Sequence, residues 1–225
     1  MKISIHQPEH MPWLGFFDKM IKSEKFIILD DVQFRKNYFQ NRNKIVSSSG
    51  VPKWVSVPVI KGSLKQRINE KIIMYNGKIF PNKYISLIIE CYKESRFFKQ
   101  YSENIFEILL RKHEKLIDLN MELIKFFRKS FEIENQLFFS SDIEVTGDKS
   151  NLIFSICKAV GASTYLSGPS GKDYLDIDTF TNAGINVEFN EYIQKEYESP
   201  NYYPFLSSID YLFRVGPNLF KKKLI

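Results

Sequence analysis

The sequence predicts an α/β domain built on a mainly parallel sheet of βαβ units, with a helical insertion or cap over residues 81–135. Three observations predict it. Near each end the chain repeats strand, loop, helix and strand within the length of one crossover unit. The apolar run Phe26–Leu29 is unbroken and stops in Asp30 and Asp31, as expected of a strand buried on both faces with polar groups at its carboxyl end. Between Pro81 and Phe131 apolar residues recur at helical spacing instead. With 225 residues, 44% hydrophobic and 26% charged, one core of ordinary size can be buried, and no linker interrupts residues 1–225, which are read as a single domain.

Taken in order, Lys2–Ile5 alternates as a short strand and ends in the proline-bounded polar stretch His6–Pro12. Leu14–Ile21 reads as a helix with Phe16, Phe17, Met20 and Ile21 on one face, and Lys25–Leu29 as the second strand. Trp54–Ile60 alternates as a third strand, with Pro58 marking an edge or an exit. Leu87, Cys91, Tyr92, Ile105, Phe106, Leu109, Leu110, Leu116, Leu123 and Phe127 then carry two or three amphipathic helices whose aromatic stripes are core. Gln136–Phe139 is a strand. Ser150–Val160 is a helix capped by Asp148 or Ser150 and closed by a left-handed Gly161. Thr164–Leu166 runs into the loop Ser167–Tyr174, and a helix over 175–182, a stop at Gly184 and the strand Ile185–Phe189 complete the second rhythm. Lys221, Lys222 and Lys223 read as a basic tail.

The net charge of +6 is uneven: residues 1–100 carry +10 and the remainder −4. From Val32 to Asn69 there is no acid, while Arg35, Lys36, Arg42, Lys44, Lys53, Lys61, Lys65 and Arg67 supply eight positive charges. Such a stretch suits a polyanion or a phosphorylated small molecule. Nucleic acid is not expected as a partner, because no recognised binding signature accompanies the charge. The two cysteines, Cys91 and Cys157, sit among apolar neighbours as buried reduced thiols, and no cysteine or histidine spacing supports a metal site. No apolar run is long enough to span a bilayer, and the start lacks the apolar region of a secretory signal, so the expectation is a cytoplasmic protein.

Ligands of open α/β sheets bind beyond the carboxyl ends of the strands, and three polar groups fall there. The first is His6-Gln7 with His10 and Trp13 in the following loop. His6 is the proton-transfer candidate, with Asp31 to orient it; a core histidine closing a turn is the alternative. The second group is Asp30-Asp31 with Gln33, Asn41 and Arg42. Adjacent acids on one strand point to opposite faces, so one of the two is expected to serve the crevice, binding magnesium or a polar ligand or orienting His6. Arg42 between Asn41 and Asn43 offers a fork donor for phosphate or carboxylate, or else an asparagine-rich turn. The third is the loop Ser167-Gly168-Pro169-Ser170-Gly171-Lys172-Asp173-Tyr174. It matches neither a P-loop nor a dinucleotide fingerprint, yet its amides could hold an anion at a helix start. No serine elbow or cysteine–histidine pair points to a covalent acyl-enzyme.

Three ordered blocks carry a resemblance: "IHQPEHMPWLGFFDKM", then "FIILDDVQFRKNYFQNRNKI" with "WVSVPV", then "GASTYLSGPSGKDYLD" with "AGINVEF". Over residues 3–216 the chain resembles the WbqC-like protein family of bacterial surface-polysaccharide gene clusters, departing from it at His10, where an aromatic is commoner. The resemblance implies a role in O-antigen or lipopolysaccharide biosynthesis. It leads to the expectation of an N-acyltransferase acting on a dTDP- or UDP-linked deoxyamino sugar, with acetyl-CoA as cosubstrate. His6 would act as general base and Asp31 would polarise it; Gln7, His10, Trp13, Asp30, Gln33, Asn41, Arg42, Ser167, Gly168, Ser170, Gly171, Asp173 and Tyr174 would bind substrate, Trp13 or Tyr174 by stacking on a base. Two alternatives stand beside it. One is a HUP-like ligase that uses ATP and magnesium to join an acid to a sugar amine; the other is a non-catalytic subunit that binds a nucleotide sugar.

Overall fold

In chain order the elements are β1 (Lys2–His6), α1 (Leu14–Ile21), β2 (Lys25–Ile28), β3 (Arg42–Val46), β4 (Pro52–Ser56), α2 (Asn82–Tyr92), α3 (Phe98–Leu110), α4 (Leu116–Ser130), β5 (Gln136–Phe139), α5 (Lys149–Ala159), β6 (Thr164–Ser167), α6 (Ile177–Asn182), β7 (Asn186–Phe189) and α7 (Ser208–Arg214). They come from a computed structural model that describes residues 1–193, 196, 197, 199 and 203–218. Lys221–Lys223 lie outside the described residues. The chain packs as two compact units, one of Met1–Gln7, Gly15–Asp31 and Glu134–Ile193, the other of Pro8–Leu14, Val32–Ile133 and the described part of Gln194–Ile225.

The first unit is the α/β body. Five strands form one sheet in the order β5-β2-β1-β6-β7, and every pairing is parallel. The apolar run read as a buried strand behaves as one, with Phe26, Ile27 and Ile28 fully buried. The two faces of β1 are distinct. Ile3 and Ile5 point one way; Ser4 and His6 point towards α1, where Ser4 Oγ donates to the Lys19 carbonyl at 3.3 Å and the His6 ring meets Phe16 edge-on at 5.0 Å. On the other arm, Phe180 of α6 stacks on Tyr165 of β6 at 5.9 Å, and Ile153, Ile156 and Cys157 fill the buried side of α5. Gly161 ends α5 with φ of 69°, the left-handed conformation read from the sequence, and Gly184, read as a stop, ends α6 in the same conformation with φ of 75°.

Strand order decides where a crevice opens. The chain lays β2 and β5 outward on one side of β1, then crosses through α5 to β6 and β7 on the other side. The order therefore reverses between β1 and β6, and in such sheets a ligand crevice lies beyond the strand ends at that switch point.

The second unit is helical around a hairpin. β3 and β4 pair antiparallel, Arg42 opposite Ser56 and Val46 opposite Pro52. The third strand expected at Trp54–Ile60 thus ends earlier, at Ser56, and pairs with a strand the sequence reading treated as polar loop. Residues 81–131 supply three helices, α2, α3 and α4. α3 buries Ser102, Ile105, Ile108 and Leu109, and this leaves Leu110, assigned to the core from spacing, 55% exposed. Both cysteines are buried free thiols, pushed above the usual thiol range by burial, Cys157 to about 12. Among the described residues no helix is long and apolar enough to cross a membrane.

Candidate functional site

At the carboxyl ends of the parallel strands the first unit gathers His6, which ends β1, and Gln7 after it, Asp30 and Asp31 after β2, Ser140 and Ser141 after β5, and Ser167, which ends β6, with the loop up to Tyr174. His6, the last residue of β1, lies beside the switch point. Its Nδ1 is 3.0 Å from the Gln7 carbonyl oxygen, a group that only accepts, so Nδ1 carries the proton. Burial, and then the nearby Lys19 ammonium, lower the imidazole pKa to about 3, against the opposing pull of the Gln7 carbonyl. The ring is therefore neutral at pH 7 and its Nε2 holds a lone pair.

The orienting group of His6 is thus a correction to the sequence reading. Asp31 instead accepts a short hydrogen bond from Ser140 Oγ, and the described partner of His6 Nδ1 is Gln7. Asp30 and Asp31 also do not diverge as strand neighbours would, because β2 ends at Ile28 and both carboxylates turn to the same serine. Asp30 is buried and accepts from Ser140 Oγ at 3.1 Å, Ser141 N at 3.1 Å and Ser141 Oγ at 2.8 Å. It ties the end of β2 to the end of β5.

Lys19 was missed in sequence. It is 4% exposed, and its Nζ donates to the Ile5 carbonyl at 2.7 Å, one residue before His6. The signal was present in its spacing: Lys19 follows Phe16 by three residues and shares its helix face. Ser140 and Ser141 had no comparable signal.

The glycine loop takes another form than the anion-binding helix start considered for it. Pro169–Asp173 is a short 3-10 turn, the Gly171 amide donates to the Gly168 carbonyl at 3.0 Å, and α6 begins only at Ile177, its first turn capped by the Asp176 carboxylate. A helix start already holding its own acid is a poor anion site. Gly171 is needed for packing: a Cβ there would lie 2.0 Å from Ser167 Oγ and 2.9 Å from Leu175 Cδ1. Ser170, Asp173 and Tyr174 are exposed on this loop, with Ser167 buried beneath it.

The remaining residues read as substrate contacts belong to the second unit. His10 is fully buried, not placed to touch substrate: Nδ1 donates to Asn120 Oδ1 at 2.9 Å, and Nε2 accepts from the Tyr84 hydroxyl at 2.7 Å. Burial lowers its pKa to about 4, with the Asn120 hydrogen bond opposing. Trp13 packs edge-on against Phe205 at 4.7 Å. Gln33 Nε2 donates to the Leu64 carbonyl at 2.6 Å. The asparagines beside Arg42 are committed to backbone, Asn41 to the Val57 carbonyl at 3.0 Å and Asn43 to that of Met11 at 2.7 Å, while the Arg42 guanidinium lies 4.1 Å over the Trp54 ring. The expected fork is thus a strand whose amides stitch loops together.

Comparison with known proteins agrees with the residue blocks. The chain is 31% identical over 220 residues to the uncharacterized protein Rv1507c of Mycobacterium tuberculosis, covering 96% of this chain and 94% of that one. No solved structure matches. The WbqC-like protein family matches over residues 7–222, nearly the whole length, and the chain belongs to that family.

Proposed function

We propose that this protein transfers an acyl group to the amine of a dTDP- or UDP-linked deoxyamino sugar in O-antigen or lipopolysaccharide biosynthesis, with acetyl-CoA as the simplest donor. The observation that carries the reading is a neutral, desolvated His6 beside the switch point of a parallel sheet, with the proton held on Nδ1 by Gln7. In the reaction the amine lone pair attacks the thioester carbonyl and a C–N bond forms. That bond makes the nitrogen more acidic than the free amine, and the lone pair on His6 Nε2 takes its proton. Collapse of the tetrahedral intermediate breaks the C–S bond, and the leaving thiolate receives the proton from His6, giving amide and free thiol. General-base help of this kind contributes about 100- to 10,000-fold.

A second reading rests on the strand order, since a central first strand with order reversal beside it also suits ATP-dependent amide ligation. There ATP and magnesium replace the thioester, and Asp31 is the acid near the strand ends less committed to the scaffold than Asp30. Purified protein incubated with acetyl-CoA and a panel of dTDP- and UDP-linked amino sugars decides between them. A product heavier by one acetyl group, with release of free thiol, supports acyl transfer. Product only with ATP, magnesium and a free acid, with AMP released, supports the ligase. Binding of a nucleotide sugar with no turnover under either condition leaves the binding-subunit reading in its place.

A further inference from the structure

Lys71 stands outside everything described above. It follows a one-turn 3-10 helix, Ile68–Glu70, in the second unit and is 5% exposed. Its Nζ donates to Gln66 Oε1 at 2.8 Å and sits 5.0 Å over the Phe34 ring, and among the described residues no carboxylate pairs with it. A buried ammonium without an anion is costly, and here the neighbouring charge is another cation, Lys36.

The backbone holds the two lysines near each other. Phe34 N donates to the Gln66 carbonyl at 2.9 Å and Gln33 Nε2 to the Leu64 carbonyl at 2.6 Å, clamping the segment that carries Lys36 to the segment that leads to Lys71. Gln66 is itself fixed, its Nε2 donating to the Glu70 carbonyl at 2.9 Å. Gly62 allows this, because a Cβ there would lie 2.3 Å from Gln66 Oε1. Glu70 is turned elsewhere, its Oε2 accepting from the Arg67 amide at 3.0 Å. On the same two segments Arg35, Lys61, Lys65 and Arg67 are exposed and form no ion pair among the described residues, so cations outnumber the nearby acids Glu70 and Glu114.

We infer that Lys71 and Lys36, with Gln66 holding Lys71 in place, form a binding site for the diphosphate of a small nucleotide derivative. A compact, doubly charged group answers both ammoniums at once. An extended nucleic-acid backbone does not, since a side chain buried as deeply as Lys71 cannot track a strand laid over the surface. The inference is independent of the acyl-transfer reading and is tested by binding alone.

Calorimetric titration of the full chain with inorganic pyrophosphate, UDP and coenzyme A tests it, alongside Lys36→Gln, Lys71→Met and, as a control for net charge, Lys125→Gln at an exposed position of α4. The expected result is binding of at least one of the three, weakened about tenfold or more in Lys36→Gln and Lys71→Met and little changed in Lys125→Gln. The ligand bound tightest names the source of the diphosphate. Should Lys71→Met fold poorly, Lys36→Gln at the exposed lysine carries the same test, read also as loss of the thermal stabilisation that pyrophosphate confers. Failure of all three ligands to bind, equal loss in Lys125→Gln, or binding of single-stranded RNA without binding of pyrophosphate overturns the assignment.

Discussion

The carbonyl of Gln7 accepts the Nδ1 proton of His6 at 3.0 Å, and this one contact sets which imidazole nitrogen is able to act as a base. Because the ring is neutral down to about pH 3, turnover between pH 5 and 8 should follow ionisation of the sugar amine and show no loss at the usual histidine midpoint. A pH profile of kcat with the nucleotide-linked amino sugar that the protein acetylates checks this. A clear break near pH 6.5 assignable to His6 would contradict it.

If His6 is the base of the proposed reaction, replacing its imidazole removes the proton acceptor and leaves most of the site standing. His6→Asn is expected to lower kcat by about 100- to 10,000-fold with KM changed far less, since the proton acceptor acts in the transition state. A folded His6→Asn protein with full turnover would remove His6 from the mechanism.

Stability should fall on acidification through His10. Its folded pKa of about 4 lies below the unfolded value of 6.5, so between those limits the unfolded chain binds more protons. The neutral buried form is therefore fully favoured above pH 6.5, and its contribution is lost as pH drops towards 4, on the order of 3 kcal/mol. Urea unfolding of the wild type and of His10→Ala at pH 7 and at pH 4.5 isolates the His10 part, since His6, with a folded pKa of about 3, acts in the same direction. His10→Ala should cost about 2 kcal/mol or more at pH 7 by stranding the Tyr84 hydroxyl and Asn120, and should flatten that part of the pH dependence.

Ser140 donates towards both acids after β2 and accepts from the Asp30 amide at 3.2 Å. Ser140→Ala should destabilise by roughly 1–3 kcal/mol, and Asp30→Ala by at least as much, because Ser141 then also loses its acceptor. Chemical denaturation of the two variants gives the ordering. An Asp31→Ala variant as damaging as Asp30→Ala would show that the roles of the two acids are misassigned.

At the glycine loop, Gly171→Ala places a methyl group against Ser167 Oγ and Leu175 Cδ1 and should cost about 1–3 kcal/mol. Adding Ser167→Ala removes the closest of these atoms but leaves Cβ at 3.1 Å, so the double variant should recover part of the loss. Melting curves of both singles and the double test the coupling; strict additivity would mean that the contact is relieved elsewhere.

The parallel sheet was legible because its strands and helices carry their own periodicity: the run Phe26–Ile28 is buried as read, and α5, β6, α6 and β7 follow one another at the expected places. β3 was not legible. Arg42, Asn43 and Lys44 look like loop residues, and it is the antiparallel pairing with β4, with the Asn43 side chain on the Met11 carbonyl and Arg42 seated on Trp54, that makes a strand of them. His6 and His10 illustrate the same boundary. They stand four residues apart in similar polar company, yet one ends a strand and the other enters a network with Tyr84 and Asn120.

What the sequence by itself determined is therefore most of the elements, the family, and the groups of polar residues at the ends of β1, β2 and β6, since all of these depend on residues close together in the chain. Partnership was decided by tertiary structure. Asp30 meets Ser140, and His10 meets Asn120, across 110 residues in each case. The first pairing follows from the order that sets β5 beside β2, the second from the packing of α4 within the second unit. Hydrogen bonds and burial, which decide whether an acid holds scaffold or a histidine can carry a proton, depend on neighbours in space, and local pattern does not encode them.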